Sequence, residues 1–170
     1  MMRPVRELVE IAKQMDPFAF AKQMGPFVLM QRPPTGEPGG ADWMTSTAKL
    51  PPASVVKEEL GPVVLEDLLI ATLPPPAKDG SLQLIVGRSL ECDVVVDDPA
   101  VSLKHAAILW DGQQGLLREL GSANGTFLNG IRIGSRATLR TADELSFGQS
   151  HFVYLLTSEL YARLIKRQAR

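Results

Sequence analysis

Hydrophobic and polar positions along the chain change their period from one stretch to the next. Over residues 4–15, Val5, Leu8, Val9 and Ala12 recur at near-helical spacing among Arg6, Glu7, Glu10 and Lys13, which predicts a short amphipathic helix that Pro17 ends or kinks. Past residue 80 the texture becomes short apolar runs separated by turn residues at intervals of roughly ten, as in an all-β sandwich. The runs are Leu82–Val86, Val94–Val96, His105–Trp110, Leu116–Leu120, Thr126–Leu128, Ile131–Ile133, Ala137–Leu139, Glu144–Phe147 and His151–Leu156. With Leu65–Thr72 added, they predict a two-sheet antiparallel β-sandwich of about 10–11 strands. Asn129-Gly130, flanked by Phe127-Leu128 and Ile131-Arg132-Ile133, suits a hairpin whose central residues need positive φ. From Thr157 to Arg170 the spacing turns helical again, with Leu160, Tyr161, Leu164 and Ile165 on one side. Arg163, Lys166, Arg167 and Arg170 lie toward the helix C-terminus, where cations are favoured.

Between the first helix and the sandwich the pattern is irregular. An imperfect nine-residue duplication runs Ala12-Lys-Gln-Met-Asp-Pro-Phe-Ala-Phe20 and then Ala21-Lys-Gln-Met-Gly-Pro-Phe-Val-Leu29. Two copies are too few for a solenoid, so the segment reads as a weakly ordered arm whose Phe18, Phe20, Phe27 and Leu29 can dock as hydrophobic plugs on the domain or on a partner. Residues 31–52 have the Pro, Gly and small polar content of a linker around Trp43. The composition agrees with that division: twelve of the thirteen prolines precede residue 77, and only Pro99 falls after it. The expected organisation is therefore 1–61 as an N-terminal helix and Pro-rich arm, 62–156 as the sandwich domain and 157–170 as a C-terminal helix.

Charge and cysteine content narrow the function classes. The 170 residues carry net charge −1 with pI about 6.1, so no global basic field points to nucleic acid or an anionic membrane as partner. Residues 60–157 hold seven basic against eleven acidic residues, net −4; an anion site here has to be locally focused. One cysteine, Cys92, makes no intramolecular disulfide and no CxxC metal pair, so neither a metal nor a cofactor is expected. No signal-like or membrane-spanning stretch is visible, and the expected compartment is the cytoplasm. Catalysis is not supported either. Ser122-Ala-Asn-Gly-Thr-Phe-Leu-Asn-Gly130 lacks the Lys-Ser/Thr that ends a nucleotide-binding P-loop, and Cys92 between Glu91 and Asp93 sits where thiol ionisation is disfavoured.

The chemistry-bearing features all lie where strands end: Gly87-Arg88, then Ser102-Leu-Lys-His105, then Asn124-Gly-Thr-Phe-Leu-Asn-Gly130. Arg88 offers a planar fork able to grip two oxygens at once, Ser102 a hydroxyl donor and Asn124 an amide that both donates and accepts. That set suits a dianionic phosphate on a peptide. In their order and spacing, G-R, S-x-x-H and N-G-T-x-x-N-G, these residues resemble the forkhead-associated (FHA) family over about residues 62–156. The resemblance implies an FHA/SMAD-like sandwich that binds phosphothreonine in a partner protein, a substrate of a Ser/Thr kinase, as a non-enzymatic signalling adaptor. It implies Arg88 and Ser102 as phosphate ligands and Asn124 as the clamp on the peptide main chain, with Leu103, Lys104 and Ala123 completing the phosphopeptide-binding set. Gly87, His105, Gly125, Thr126, Asn129 and Gly130 then support the site. Ala100 and Ala123 stand where many members carry a further polar phosphate contact, and Ala142-Asp143 stands for a Gly-Asp turn. A phospho-independent scaffold using the sandwich and its N-terminal arm is the alternative. Thr45 and Thr47, tethered near the pocket, are candidate regulatory phosphosites through which the arm can fold back.

Overall fold

In a computed structural model of the chain, residues 2–31, 69–71, 73–74 and 76–166 are described. Two sheets form the sandwich. The seven-stranded one runs β1 (Met2–Pro4), β3 (Leu69–Ala71), β2 (Phe27–Gln31), β12 (Ser150–Leu156), β11 (Asp143–Phe147), β8 (Thr126–Leu128), β9 (Ile131–Arg132). The five-stranded one runs β10 (Arg136–Leu139), β7 (Gly115–Glu119), β6 (Ala106–Trp110), β4 (Leu82–Gly87), β5 (Val94–Val95). All pairings among the described strands are antiparallel except β4–β5, where Val86 lies beside Val94 and Gly87 beside Val95 in parallel at the sheet edge. Leu84, Val86, Ile108, Leu117, Leu145, Phe147 and Phe152 fill the space between the sheets.

A third layer lies outside the seven-stranded sheet. Helices α1 (Val5–Gln14), α2 (Pro17–Met24) and α3 (Thr157–Lys166) bury Val5, Leu8, Ala12, Phe20, Leu160 and Leu164 against Val28, Met30, Ile70 and Leu155 of the strands. Strand β2 is thus covered on both sides: Phe27 and Leu29 point into the sandwich, Val28 and Met30 toward the helices. A strand buried on both faces shows a continuous apolar run instead of alternation. This corrects the expectation of a weakly ordered arm for the duplicated residues 12–29. Phe20, Phe27 and Leu29 are plugs on the chain's own fold; Phe18 alone of the four is exposed, at 80%.

The duplication explains how similar segments take different paths. Each AKQM ends a helix, α1 in the first copy and α2 in the second. In the first copy Asp16 then caps a new helix, accepting from the N–H groups of Phe18 and Ala19 at 2.9 and 3.0 Å with Pro17 at the first helical position. In the second, Gly25 takes φ +85° and releases the chain into β2. The C-terminal helix is tied to this junction by the Thr157 hydroxyl, which donates to the Gly25 carbonyl at 2.7 Å, and by Tyr161, which donates to the Met15 carbonyl at 2.9 Å.

Every predicted strand after residue 80 is present within a residue or two, and Leu69–Ala71 represents the Leu65–Thr72 run. Strands β1 and β2 are additional to the expected set. Trp43, Thr45, Thr47 and the expected boundary near residue 62 lie outside the described residues.

Candidate functional site

Three loops meet at one end of the sandwich, and side-chain to backbone hydrogen bonds lock them together. Where β4 ends at Gly87, the backbone N–H groups of Arg88 and Ser89 donate to the carbonyls of Ser102 and Leu103 at 2.9 and 3.1 Å. A Cβ at Gly87 would run into the Leu103 carbonyl oxygen, so glycine is what permits this close approach. The buried Cys92 thiol donates to the same carbonyl at 3.1 Å. Its pKa is raised, first by burial and further by Asp93 and Glu91, against the lowering pull of Lys104. A protonated, donating thiol is structural rather than nucleophilic.

His105, fully buried at the start of β6, is the central clasp. Its Nδ1 accepts from the Ser102 N–H at 3.1 Å, which leaves the proton on Nε2 to donate to the Gly125 carbonyl at 3.0 Å. One neutral ring therefore fixes the 102 loop relative to the 122–125 loop, while Phe147 packs edge-on at 5.5 Å. Two carboxylates do comparable work that the sequence reading did not single out. Asp98, buried, accepts from Ala100 N–H at 2.8 Å and from Gln149 N–H at 2.7 Å, joining the loop before Ser102 to the β11–β12 turn. Glu119 accepts from the Ser122 N–H and the Thr126 hydroxyl, one on each carboxylate oxygen. Burial alone would raise its pKa, but these hydrogen bonds outweigh burial and hold it below the usual 4.5. A signal for both existed in the sequence: an acid just before a turn rich in Ser, Gly and Pro commonly accepts that turn's own N–H groups.

Within this frame, each proposed ligand is steadied by one bond that leaves a ligand-facing group free. The Arg88 Nε donates to the Val101 carbonyl at 3.2 Å, which orients the guanidinium and leaves its two terminal nitrogens for an oxyanion. The Ser102 hydroxyl accepts from the Ala123 N–H at 3.0 Å, so its own proton remains to be given. Asn124 donates from Nδ2 to the Ala100 carbonyl at 2.7 Å, leaving its carbonyl oxygen to accept a peptide N–H. Leu103 and Lys104 lie exposed on the same loop, and Ala123 and Asn124 on the facing one. Gly125, at φ +83°, would place any Cβ against the Arg132 guanidinium. Thr126 is fully buried and opens β8, and Asn129 and Gly130 take φ +51° and +77° in the β8–β9 hairpin.

Residues 84–148 match the family model described as FHA domain. Over those residues the chain is similar to FHA domains. The glycogen accumulation regulator GarA of Mycolicibacterium smegmatis is 35% identical over 69 residues, which are 41% of this chain and 43% of GarA. The oxoglutarate dehydrogenase inhibitor of Corynebacterium jeikeium is likewise 35% identical over 69 residues, 41% of this chain and 47% of the inhibitor. The chain thus spans less than half the length of the curated relatives it matches. A solved structure from a study of phosphothreonine-dependent FHA domain interactions shares the fold, with TM-score 0.50 at 21% identity over 77% of this chain and 96% of that one. The FHA match lies entirely within the sandwich and leaves α1, α2, β2 and α3 outside it.

Proposed function

We propose that this chain is a phosphothreonine-dependent interaction module, an adaptor in Ser/Thr kinase signalling without catalysis of its own. The observation that carries the reading is the convergence of the Arg88 fork, the Ser102 hydroxyl and the Asn124 amide on loops that His105 clasps together. Arg88 and Ser102 take the phosphate and Asn124 the adjoining peptide backbone. Lys104 supplies a second cation, while Leu103 and Ala123 line the approach. Each charge-assisted bond contributes roughly 1.5–3 kcal/mol, so two or three give about micromolar affinity once association costs are subtracted. The partner class agrees with the FHA study named above, whose subject is phosphothreonine-dependent interaction. Among the described residues no helix is long and apolar enough to cross a membrane. We assign the module to the cytoplasm, where its single thiol, Cys92, stays reduced.

Self-occupancy belongs to the same proposal. Gln31 and Leu69 are neighbours across β2 and β3, and Gln31 also pairs with Phe152 near the β11–β12 turn that Asp98 ties to the 98–102 loop. Gln31 and Leu69, which flank residues 32–68 in sequence, therefore lie toward the phosphate end of the sandwich, which supports a tether through which phosphorylated Thr45 or Thr47 occupies the site. Fluorescence anisotropy with a degenerate phosphothreonine peptide library and its unphosphorylated twin tests the main reading. Phosphate-dependent binding that Arg88→Ala removes is the expected result, and equal binding of the two libraries overturns it. Kinase-phosphorylated protein whose external affinity is unchanged overturns the self-occupancy.

A further inference from the structure

An open sheet edge is a place where another chain can add a strand. Among the described strands, β1 and β9 end one sheet and β10 and β5 the other. Strands β5 and β9 are two residues long, and β1 carries Pro4, which has no N–H to donate. Strand β10, Arg136–Leu139, has four residues and no proline, and it pairs with β7 on one side only. Strands β7 and β6 separate it from β4, which leads into Arg88.

The charge on this edge is of one sign. Leu117 and Leu139 belong to the core, so Arg118, Arg136 and Thr138 face outward. Arg118 and Arg136, both exposed, stand directly opposite each other in the register, where like charges repel. Exposed Arg140 follows at the end of β10. Three acids lie nearby. Glu119 accepts from Ser122 and Thr126 and shares a cleft with Arg132, Asp143 accepts from the Arg140 N–H and Asn129, and Asp111 accepts from the Gln113 and Gln114 N–H groups. None of them makes an ion pair with Arg118, Arg136 or Arg140; the ion pairs among the described residues lie elsewhere.

Charge on an edge strand commonly bars unwanted pairing, and Arg136 does so against a second copy, whose own Arg136 it would meet. Arg118 lies one strand inside the edge, where it guards nothing and repels Arg136. Such an uncompensated pair is complementary to carboxylates.

We propose that β10 is a docking edge for an acidic extended segment of a partner protein, which adds to the five-stranded sheet as a further strand. Side chains of an added strand alternate between faces. Those beside Arg118 and Arg136 are therefore acidic, and those beside Ala137 and Leu139 aliphatic. The surface uses none of Arg88, Ser102 and Asn124, so it stands apart from the phosphothreonine reading.

The test presents the full chain with a peptide of about eight residues alternating valine and glutamate, with its valine–lysine counterpart, and with a single-stranded DNA oligomer. The glutamate peptide is expected to bind roughly tenfold more tightly than the lysine peptide, as two exposed charge pairs allow, and to slow amide hydrogen exchange within Arg136–Leu139. Raising salt from about 0.05 to 0.5 M should weaken it. The double variant Arg118→Glu, Arg136→Glu is expected to invert the peptide preference, and Arg118→Gln alone to weaken glutamate-peptide binding while leaving the thermal midpoint at or above that of wild type, because it removes a repulsion. Equal binding of the two peptides, binding of neither, or a preference that survives the double reversal overturns the proposal. Protection centred on residues 88–104 with β10 unchanged overturns it too, as does tighter binding of the DNA oligomer than of the glutamate peptide.

Discussion

The two ends of this molecule are held by different forces. At the helical annex, α1, α2 and α3 rest on β2 and β12 through apolar burial of Val5, Leu8, Phe20, Leu160 and Leu164, with a few polar ties such as Thr157 to Gly25. At the loop end the shape is set by directional bonds: His105 between two loops, Asp98 between a loop and a turn, and Glu119 within a third loop. Burial scales with area and tolerates small shifts, whereas hydrogen bonds specify angles. The proposed site, with a guanidinium, a hydroxyl and an amide to aim at one phosphopeptide, needs the second kind of support, and the annex needs only the first.

Perturbations should therefore separate stability from binding. Phe20→Ala empties a fully buried position and is expected to destabilise by about 3–5 kcal/mol; a urea titration measures it, while phosphopeptide affinity below the transition stays within about twofold of wild type. Arg88→Ala inverts the pattern: affinity falls by about two orders of magnitude or more, yet the exposed side chain leaves the thermal midpoint within about 2 °C. His105→Ala affects both, since it orphans the Ser102 N–H and the Gly125 carbonyl; about 2–4 kcal/mol of stability and most of the affinity should go together. Glu119→Gln is milder, about 1 kcal/mol, and carries a pH signature. With a folded-state pKa below the ordinary value, Glu119 contributes stability that is present above about 4.5 and is lost as pH falls through the depressed value. The variant's acid denaturation profile should lack that part of the decline. Ala142→Gly is the smallest: Ala142 sits at φ +71°, and relief of that strain, net of glycine's backbone entropy, should add about 0.5 kcal/mol, visible in calorimetry.

The contrast also decides what could be read from the sequence. The loop end was legible because its parts announce themselves: Asn129-Gly130 can hardly be anything but a tight hairpin, and G-R, S-x-x-H and N-G-T mark the site at fixed spacing. The clasps Asp98 and Glu119 were harder, because an acid that accepts backbone N–H groups looks like any solvated acid until the loop is built. The annex was least legible. Phe27–Gln31 shows no alternation because both its faces are buried, and its pairing partners β12 and β3 lie far along the chain. Pro4 obscured β1, although an edge strand paired only with β3 can hold a proline. The proline-rich composition pointed to an arm, while Asp16 and Gly25, at the same place in the two repeats, assign one copy to a helix and the other to a strand.

In the proposed function a phosphate completes a site already assembled around His105, at one end only. Backbone amide NMR shifts of the full chain, followed through a titration with a phosphothreonine peptide and then with its unphosphorylated twin, test it most directly. Large shifts are expected at Arg88, Ser102, Ala123 and Asn124 with the phosphopeptide alone, with still signals at Phe20, Val28 and Leu160 in the annex. Equal shifts with both peptides, or shifts centred on the annex with Arg88 and Ser102 unmoved, would contradict it.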